Sequence, residues 1–194
     1  MPDPGELALA AVVGYLLGSI PFARMVAGRR AVDPLAAGER NPGAANVWRL
    51  LGPRAGATVL ALDIGKGALA GLAGMALAGW WGACTGVVLA MAGHAWPPWS
   101  GFRGGRSVAC LTGGGLVLAP VPFLIAVLIF ALAARPAGLW RAAAAGLLAY
   151  PVLFALLVPD RWRLIGLGAA YLVLALVWLR RRYRPEGRPG PERQ

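Results

Sequence analysis

Long, nearly uncharged apolar runs dominate this chain and set the terms on which it can fold. Residues 6–27, 55–78 and 80–95 are runs of this kind, and further apolar stretches follow from 107 to 180. A helix rises about 1.5 Å per residue, so about 20 residues cross about 30 Å of hydrocarbon. Inside lipid every backbone N–H and C=O needs an internal partner, which a helix supplies from its own segment. The expected fold class is therefore all-α and polytopic, a membrane protein of about seven transmembrane helices, several of them short.

Composition agrees. Of 194 residues, 58% are hydrophobic and 14% charged, against about 45–50% and about 25% in soluble domains. A single membrane domain over 1–180 is expected, followed by a basic cytoplasmic tail over 181–194 without order. The net charge of +11 could indicate nucleic-acid binding, but the basic residues flank the apolar runs. That placement suits positive-inside anchoring and anionic lipid, so membrane lipid is the expected partner and nucleic acid is not. Cys84 and Cys110 lie within apolar stretches, and no CxxC or His/Cys ligand spacing marks a metal site. The first run has an acidic flank, Asp3 and Glu6, unlike a signal peptide, and is long enough to remain as a span.

The expected spans are 6–27, 55–78, 80–95, 107–119, 122–134, 142–158 and 162–180, with an uncharged turn at Gly79–Gly82. The stretch 107–134 is too long for one untilted helix, and Pro120 and Pro122 are expected to break it. This count puts the N-terminus outside and the C-terminus in the cytoplasm. Arg29, Arg30, Arg40, Arg49, Arg54, Arg103, Arg106, Arg135, Arg141 and the tail arginines then face inward, and only Arg161 and Arg163 face outward. Trp80, Trp81 and Trp162 fall at outer ends, and Trp96, Trp99, Trp140 and Trp178 at inner ends. Gly67 and Gly71, spaced GxxxG, suit close helix packing.

Three polar features remain. The loop from Gly38 to Arg49 collects Glu39, Arg40, Asn41, Asn46 and Arg49, donors able to grip a phosphate, although a turn with anchoring arginines explains them as well. The segment from Gly93-His94 to Ser107 holds Arg103-Gly104-Gly105-Arg106 and opens a short helix. Glycine backbone, a helix N-terminus and two guanidiniums make an anion site, though not a nucleotide P-loop. The alternative there is an interfacial loop with snorkelling arginines. Asp63 and Lys66 share a helix face within the second span, and charge at that depth points to function or to a buried pair that holds helices together. His94, the one histidine, is either a hydrogen-bonded structural group or a catalytic one.

These residues resemble the bacterial acyl-phosphate:glycerol-3-phosphate acyltransferase family. Gly18-Ser19-Ile20-Pro21-Phe22 looks like its first-helix signature. Asn41-Pro42-Gly43-Ala44-Ala45-Asn46-Val47 with Arg49 is similar to GSGNxGATN followed by Arg, and Asp63-Ile64-Gly65-Lys66-Gly67 to DxxKG. Gly93-His94 through Ala109 is similar to GHxxPxxxxFKGGKGVAT. The resemblance covers about residues 10–180. It implies a seven-helix domain in the bacterial inner membrane with its active site toward the cytoplasm. It also implies transfer of an acyl chain from acyl phosphate to the 1-hydroxyl of glycerol 3-phosphate. Lysophosphatidic acid and phosphate would be the products, with no cofactor, coenzyme A, acyl carrier protein or metal.

The expected catalytic residues are His94, Lys66, Arg106 and Glu39; the leaving phosphate can itself take the proton, His94 and Glu39 are the candidate bases, and a salt bridge to a nearby arginine is the preferred role for Glu39. The implied substrate contacts are Ser19, Asn41, Gly43, Asn46, Arg49, Arg103, Gly104, Gly105 and Ser107. Arg103, Arg106 and the Gly104-Gly105 backbone would hold one phosphate, and Arg49, Asn41 and Asn46 glycerol 3-phosphate. The chain departs from the family pattern at several positions. Glu39 replaces serine, Arg40 and Ser107 replace glycines, Leu35 replaces arginine, Arg106 replaces lysine and Cys110 replaces threonine. The C-terminal HRxNIxRLxxGxE has no counterpart in Arg180 to Gln194. A diverged paralogue that binds lipid phosphates with altered or no catalysis is the main alternative, and a small transporter a lesser one.

Overall fold

A computed structural model describes residues 2–137, 139–160 and 162–182. Among the described residues all regular secondary structure is helical: α1 (Pro4–Ser19), α2 (Phe22–Gly28), α3 (Ala44–Leu51), α4 (Pro53–Ala95), α5 (Val108–Leu118), α6 (Pro120–Ala137), α7 (Leu139–Leu157) and α8 (Arg163–Arg182), with a 3₁₀ turn at Pro98–Ser100. By length and apolarity, Pro4–Gly28, Pro53–Ser100 and Arg163–Arg180 can cross a membrane, and Val108–Leu118, Pro120–Ala134 and Arg141–Leu157 are shorter apolar helices. α4 is two arms folded back at Ala78-Gly79, where Gly79 has φ 59° and ψ −146°. With α1 and α2 taken as one run and α4 as two arms, seven apolar segments stand among the described residues.

Local chemistry moves three boundaries. The run 6–27 is broken at Ile20-Pro21, with Ile20 at φ −59° and ψ 120°. Proline lacks an N–H and pushes the residue before it out of the α region. The stretch 107–134 breaks at Ala119 (φ −156°, ψ 85°), one residue before Pro120. Pro122 does not break it, because both prolines sit in the first turn of α6, where helix N–H groups need no partner. The polar segment 28–54 contains α3, with Asn46 and Val47 turned inward and Trp48 exposed. Arg181 and Arg182 continue the backbone of α8. The expectations for Arg161 and for 183–194 lie outside the described residues, as do those for the side chains of Arg135 and Trp140.

Lipid gives helices no hydrophobic reason to associate, so they associate by close packing. Glycines provide it here. A Cβ on Gly14 or Gly18 of α1 would fall on the backbone of Gly86 or Ala90 in the second arm of α4, and one on Gly93 would fall on the Tyr15 carbonyl. α5 approaches the first arm in the same way: a Cβ on Gly67 would fall on the Cys110 backbone, and one on Gly113 on the Ile64 carbonyl. Val87, Met91, Cys110 and Leu111 fill the centre, and Tyr150, Phe154 and Leu167 a second cluster. Leu132, Leu148, Leu156 and Ile165 point outward and are exposed, as a lipid-facing surface requires. Trp80, Trp81 and Trp162 cluster with ring centroids 4.9–5.5 Å apart, and the Arg163 guanidinium lies 5.2 Å from the Trp162 ring centroid.

Two glycines on one turn of α4 separate packing from propensity. Gly65 has nothing within 4 Å of an added Cβ, so Gly65→Ala should be neutral or stabilising by about 0.5–1 kcal/mol. Gly67→Ala should destabilise by about 1–3 kcal/mol through overpacking. Thermal unfolding of both variants in detergent measures the contrast.

Candidate active site

The break after α1 leaves the Ile20 carbonyl turned into the interior, where Lys66 meets it. Lys66 Nζ donates to Ile20 O at 3.0 Å, lies 2.8 Å from Asp63 Oδ1 and sits 5.6 Å from the Phe22 ring centroid. His94 Nδ1 lies 3.6 Å from the same carboxylate oxygen. Lys66 is only 3% exposed. An ion so placed needs a counter-charge and directed partners to offset lost hydration. The three titratable groups border a small cavity whose other walls are Gly18 to Ala23, Pro42, Pro97 and Gly104-Gly105.

The glycine-rich loop lies along the end of α4. Gly105 N–H donates to the His94 carbonyl at 2.9 Å and Gly104 N–H to the Ala95 carbonyl at 3.0 Å. A Cβ on Gly105 would fall on His94 Nε2. These glycines therefore serve close approach, and their N–H groups are engaged by the chain rather than turned to an anion. Ser107, at φ 61°, donates from Oγ to Met91 O at 2.6 Å, which leaves the first turn of α5 without a side-chain cap. Ser19 donates from Oγ to Tyr15 O at 2.7 Å. Both hydroxyl protons go to backbone, and both side chains are buried.

The first polar loop is organised by Asn46, which is fully buried. Its Oδ1 accepts the Glu39 N–H at 2.9 Å, and its Nδ2 lies 3.0–3.1 Å from the carbonyls of Pro34, Ala37 and Asn41. An amide carries two N–H donors and one oxygen, so its bonding capacity is taken up by this loop. Gly43 N–H donates to the Asn41 carbonyl at 2.9 Å, and Asn41 is buried. Glu39 is thereby presented to Arg49, whose Nη1 pairs with Oε1, while Arg106 Nη2 lies 3.4 Å from Oε2. Two polar loops far apart in the chain meet at this carboxylate. Arg103 is exposed on the second loop.

Arg40, at φ 50°, and Ser107 occupy left-handed positions. Both stand where the resembling motifs carry glycine, the residue that adopts this conformation without steric cost. Arg24 was not legible as a site neighbour. Its Nη1 donates to Ser100 Oγ at 3.1 Å and its Nε lies 3.9 Å from Asp33, so it ties α2 to both loops. An arginine at the end of an apolar run signals only anchoring. Among the described residues no group of three His, Cys, Asp or Glu side chains could hold a metal ion.

Residues 8–186 match the model of the family described as glycerol-3-phosphate acyltransferase. The chain belongs to this family. The glycerol-3-phosphate acyltransferase of Symbiobacterium thermophilum is 40% identical over 172 residues, covering 89% of this chain and 74% of that one. The glycerol 3-phosphate form of PlsY, an integral membrane glycerol 3-phosphate acyltransferase, superposes with TM-score 0.78 at 28% identity, covering 91% of this chain and 88% of PlsY. Its lysophosphatidic acid form gives TM-score 0.76 at 26% identity, with the same coverage. This acyltransferase-family chain is thus an integral membrane protein built on helices, as its apolar surface requires.

The buried amide gives a direct test of how the acyltransferase holds its first loop. Asn46→Asp replaces two donors with acceptors that face three carbonyls. It should destabilise the loop by about 2–4 kcal/mol, read as faster tryptic cleavage at Arg40 and a lower Tm.

Proposed function

We propose that this chain transfers an acyl group from acyl phosphate to the 1-hydroxyl of glycerol 3-phosphate, releasing lysophosphatidic acid and phosphate. The observation that carries this is the meeting of Arg49, on α3, and Arg106, on the glycine-rich loop, on one anionic group. Guanidiniums converging on an anion suit phosphate, which they can grip in bidentate fashion. The active site faces the cytoplasm of the bacterial inner membrane, with the N-terminus outside and the C-terminus inside, because most flanking arginines then lie inward. No nucleic acid takes part.

Acyl phosphate is already activated, so the chemistry asks chiefly for position and charge. The glycerol hydroxyl oxygen attacks the acyl carbonyl carbon, the bond from that carbon to the phosphate oxygen breaks, and the leaving phosphate accepts the hydroxyl proton. Arg49 and Arg106 hold phosphate, with Arg103 and Asn41 beside them. Lys66 carries positive charge at the membrane side of the cavity, where the acyl carbonyl would lie. With the proton passing to phosphate, Glu39 is not needed as a base and has a guanidinium on each oxygen, while His94 lies against the Asp63 carboxylate at the cavity wall. Asn46 and Gly43 act through loop shape, Ser19 and Ser107 through their backbone bonds, and Gly104 and Gly105 by admitting His94.

A second reading, a lipid-phosphate binder without turnover, is favoured by Glu39, which lowers the net positive charge between the arginines. Reconstitution with palmitoyl phosphate and glycerol 3-phosphate separates the two, with phosphate release as the measurement. Turnover is expected, and Arg106→Ala should reduce it by about 10²-fold or more. Unchanged turnover in that variant removes Arg106 from the mechanism. Binding without phosphate release supports the second reading.

A further inference from the structure

Glu39 puts a negative charge where the site needs to be most positive. Its two oxygens each face a guanidinium, Oε1 on Arg49 and Oε2 on Arg106, much as two oxygens of a phosphate would. The contact is reachable: the side chains of Glu39, Arg49 and Arg106 are 32%, 50% and 41% exposed. The backbone beneath the carboxylate is pinned, because Glu39 N–H donates to the buried Asn46 Oδ1 at 2.9 Å. Arg40 follows in the left-handed conformation. A group tethered this closely meets its partners at high effective concentration. A side-chain rotation alone would release both arginines, since among the described residues the bonds to the carboxylate oxygens come from Arg49 and Arg106 and not from backbone.

We propose that Glu39 is an internal competitor for phosphate: it occupies the Arg49–Arg106 pair in the empty site, and an incoming phosphate monoester binds by displacing it. This rests on the assignment of the arginine pair to phosphate made above. Exchange has two consequences. Phosphate binds more weakly than two unpaired guanidiniums would hold it, and inorganic phosphate leaves as the carboxylate returns. Glu39 thereby sets the affinity of this chain for its anionic ligands without contacting the reacting carbonyl.

The test is calorimetric titration of the purified chain in nanodiscs with inorganic phosphate and with glycerol 3-phosphate. Glu39→Gln and Glu39→Ser should each bind both ligands about 2- to 30-fold more tightly than the wild type. Binding should weaken more steeply with salt, because one more net positive charge faces the ligand. The KM for glycerol 3-phosphate should fall in the same direction. Equal or weaker binding by both variants overturns the proposal and leaves Glu39 as a residue that positions the arginines. If Arg49→Ala and Arg106→Ala bind phosphate as tightly as the wild type, the pair is not the phosphate site, and the assignment and the proposal fall together. If acyl phosphate is not turned over but Glu39→Gln still tightens phosphate binding, the proposal stands and only the catalytic assignment fails.

Discussion

One ammonium held among apolar helices is the constraint on which the rest of the structure depends. Lys66 is the only lysine in the chain, and charge in a low-dielectric interior is tolerated only with close partners. Asp63 neutralises it from one turn away on the same helix. The Ile20 carbonyl completes it from the break after α1, and that carbonyl points inward because Pro21 ends the helix. A straight α1 would use Ile20 O for its own ladder. The broken helix and the buried ion pair are therefore one device, and the cavity lies where they meet.

Glycine makes that meeting possible. The two arms of α4, α1 and α5 pack with backbones in contact at Gly14, Gly18, Gly67, Gly93 and Gly113. Gly105 extends the same logic to the loop, where it admits the His94 ring. Side chains of any size there would push helices apart by more than a hydrogen bond tolerates, and the distances of 2.8–3.6 Å around Asp63 would be lost. Packing in this membrane domain is thus tied directly to site geometry.

Three of the departures from the family pattern sort into two kinds. Arg40 and Ser107 stand in the left-handed conformation, which glycine adopts without steric cost. Glu39 adds a carboxylate, which pairs with Arg49 and Arg106.

Much of the fold was legible from the chain alone. Hydrocarbon thickness imposes a length on every crossing, so the apolar segments announce themselves, and three-residue spacing was enough to pair Asp63 with Lys66. Proline chemistry places one break within a residue or two of Ala119, and Pro21 marks the other at Ile20 inside an otherwise apolar run. The site was legible as a set of polar loops, not as partners. That Asn46 turns inward, that Gly104 and Gly105 give their N–H groups to Ala95 and His94, and that Ser107 reaches Met91 are decisions of tertiary structure. So is the meeting of Arg49 and Arg106 on Glu39, across 67 residues of sequence. Helical periodicity is a local property and is written in neighbouring residues. A hydrogen bond between loops depends on where whole helices stop and how closely they pack, and only the folded bundle decides that.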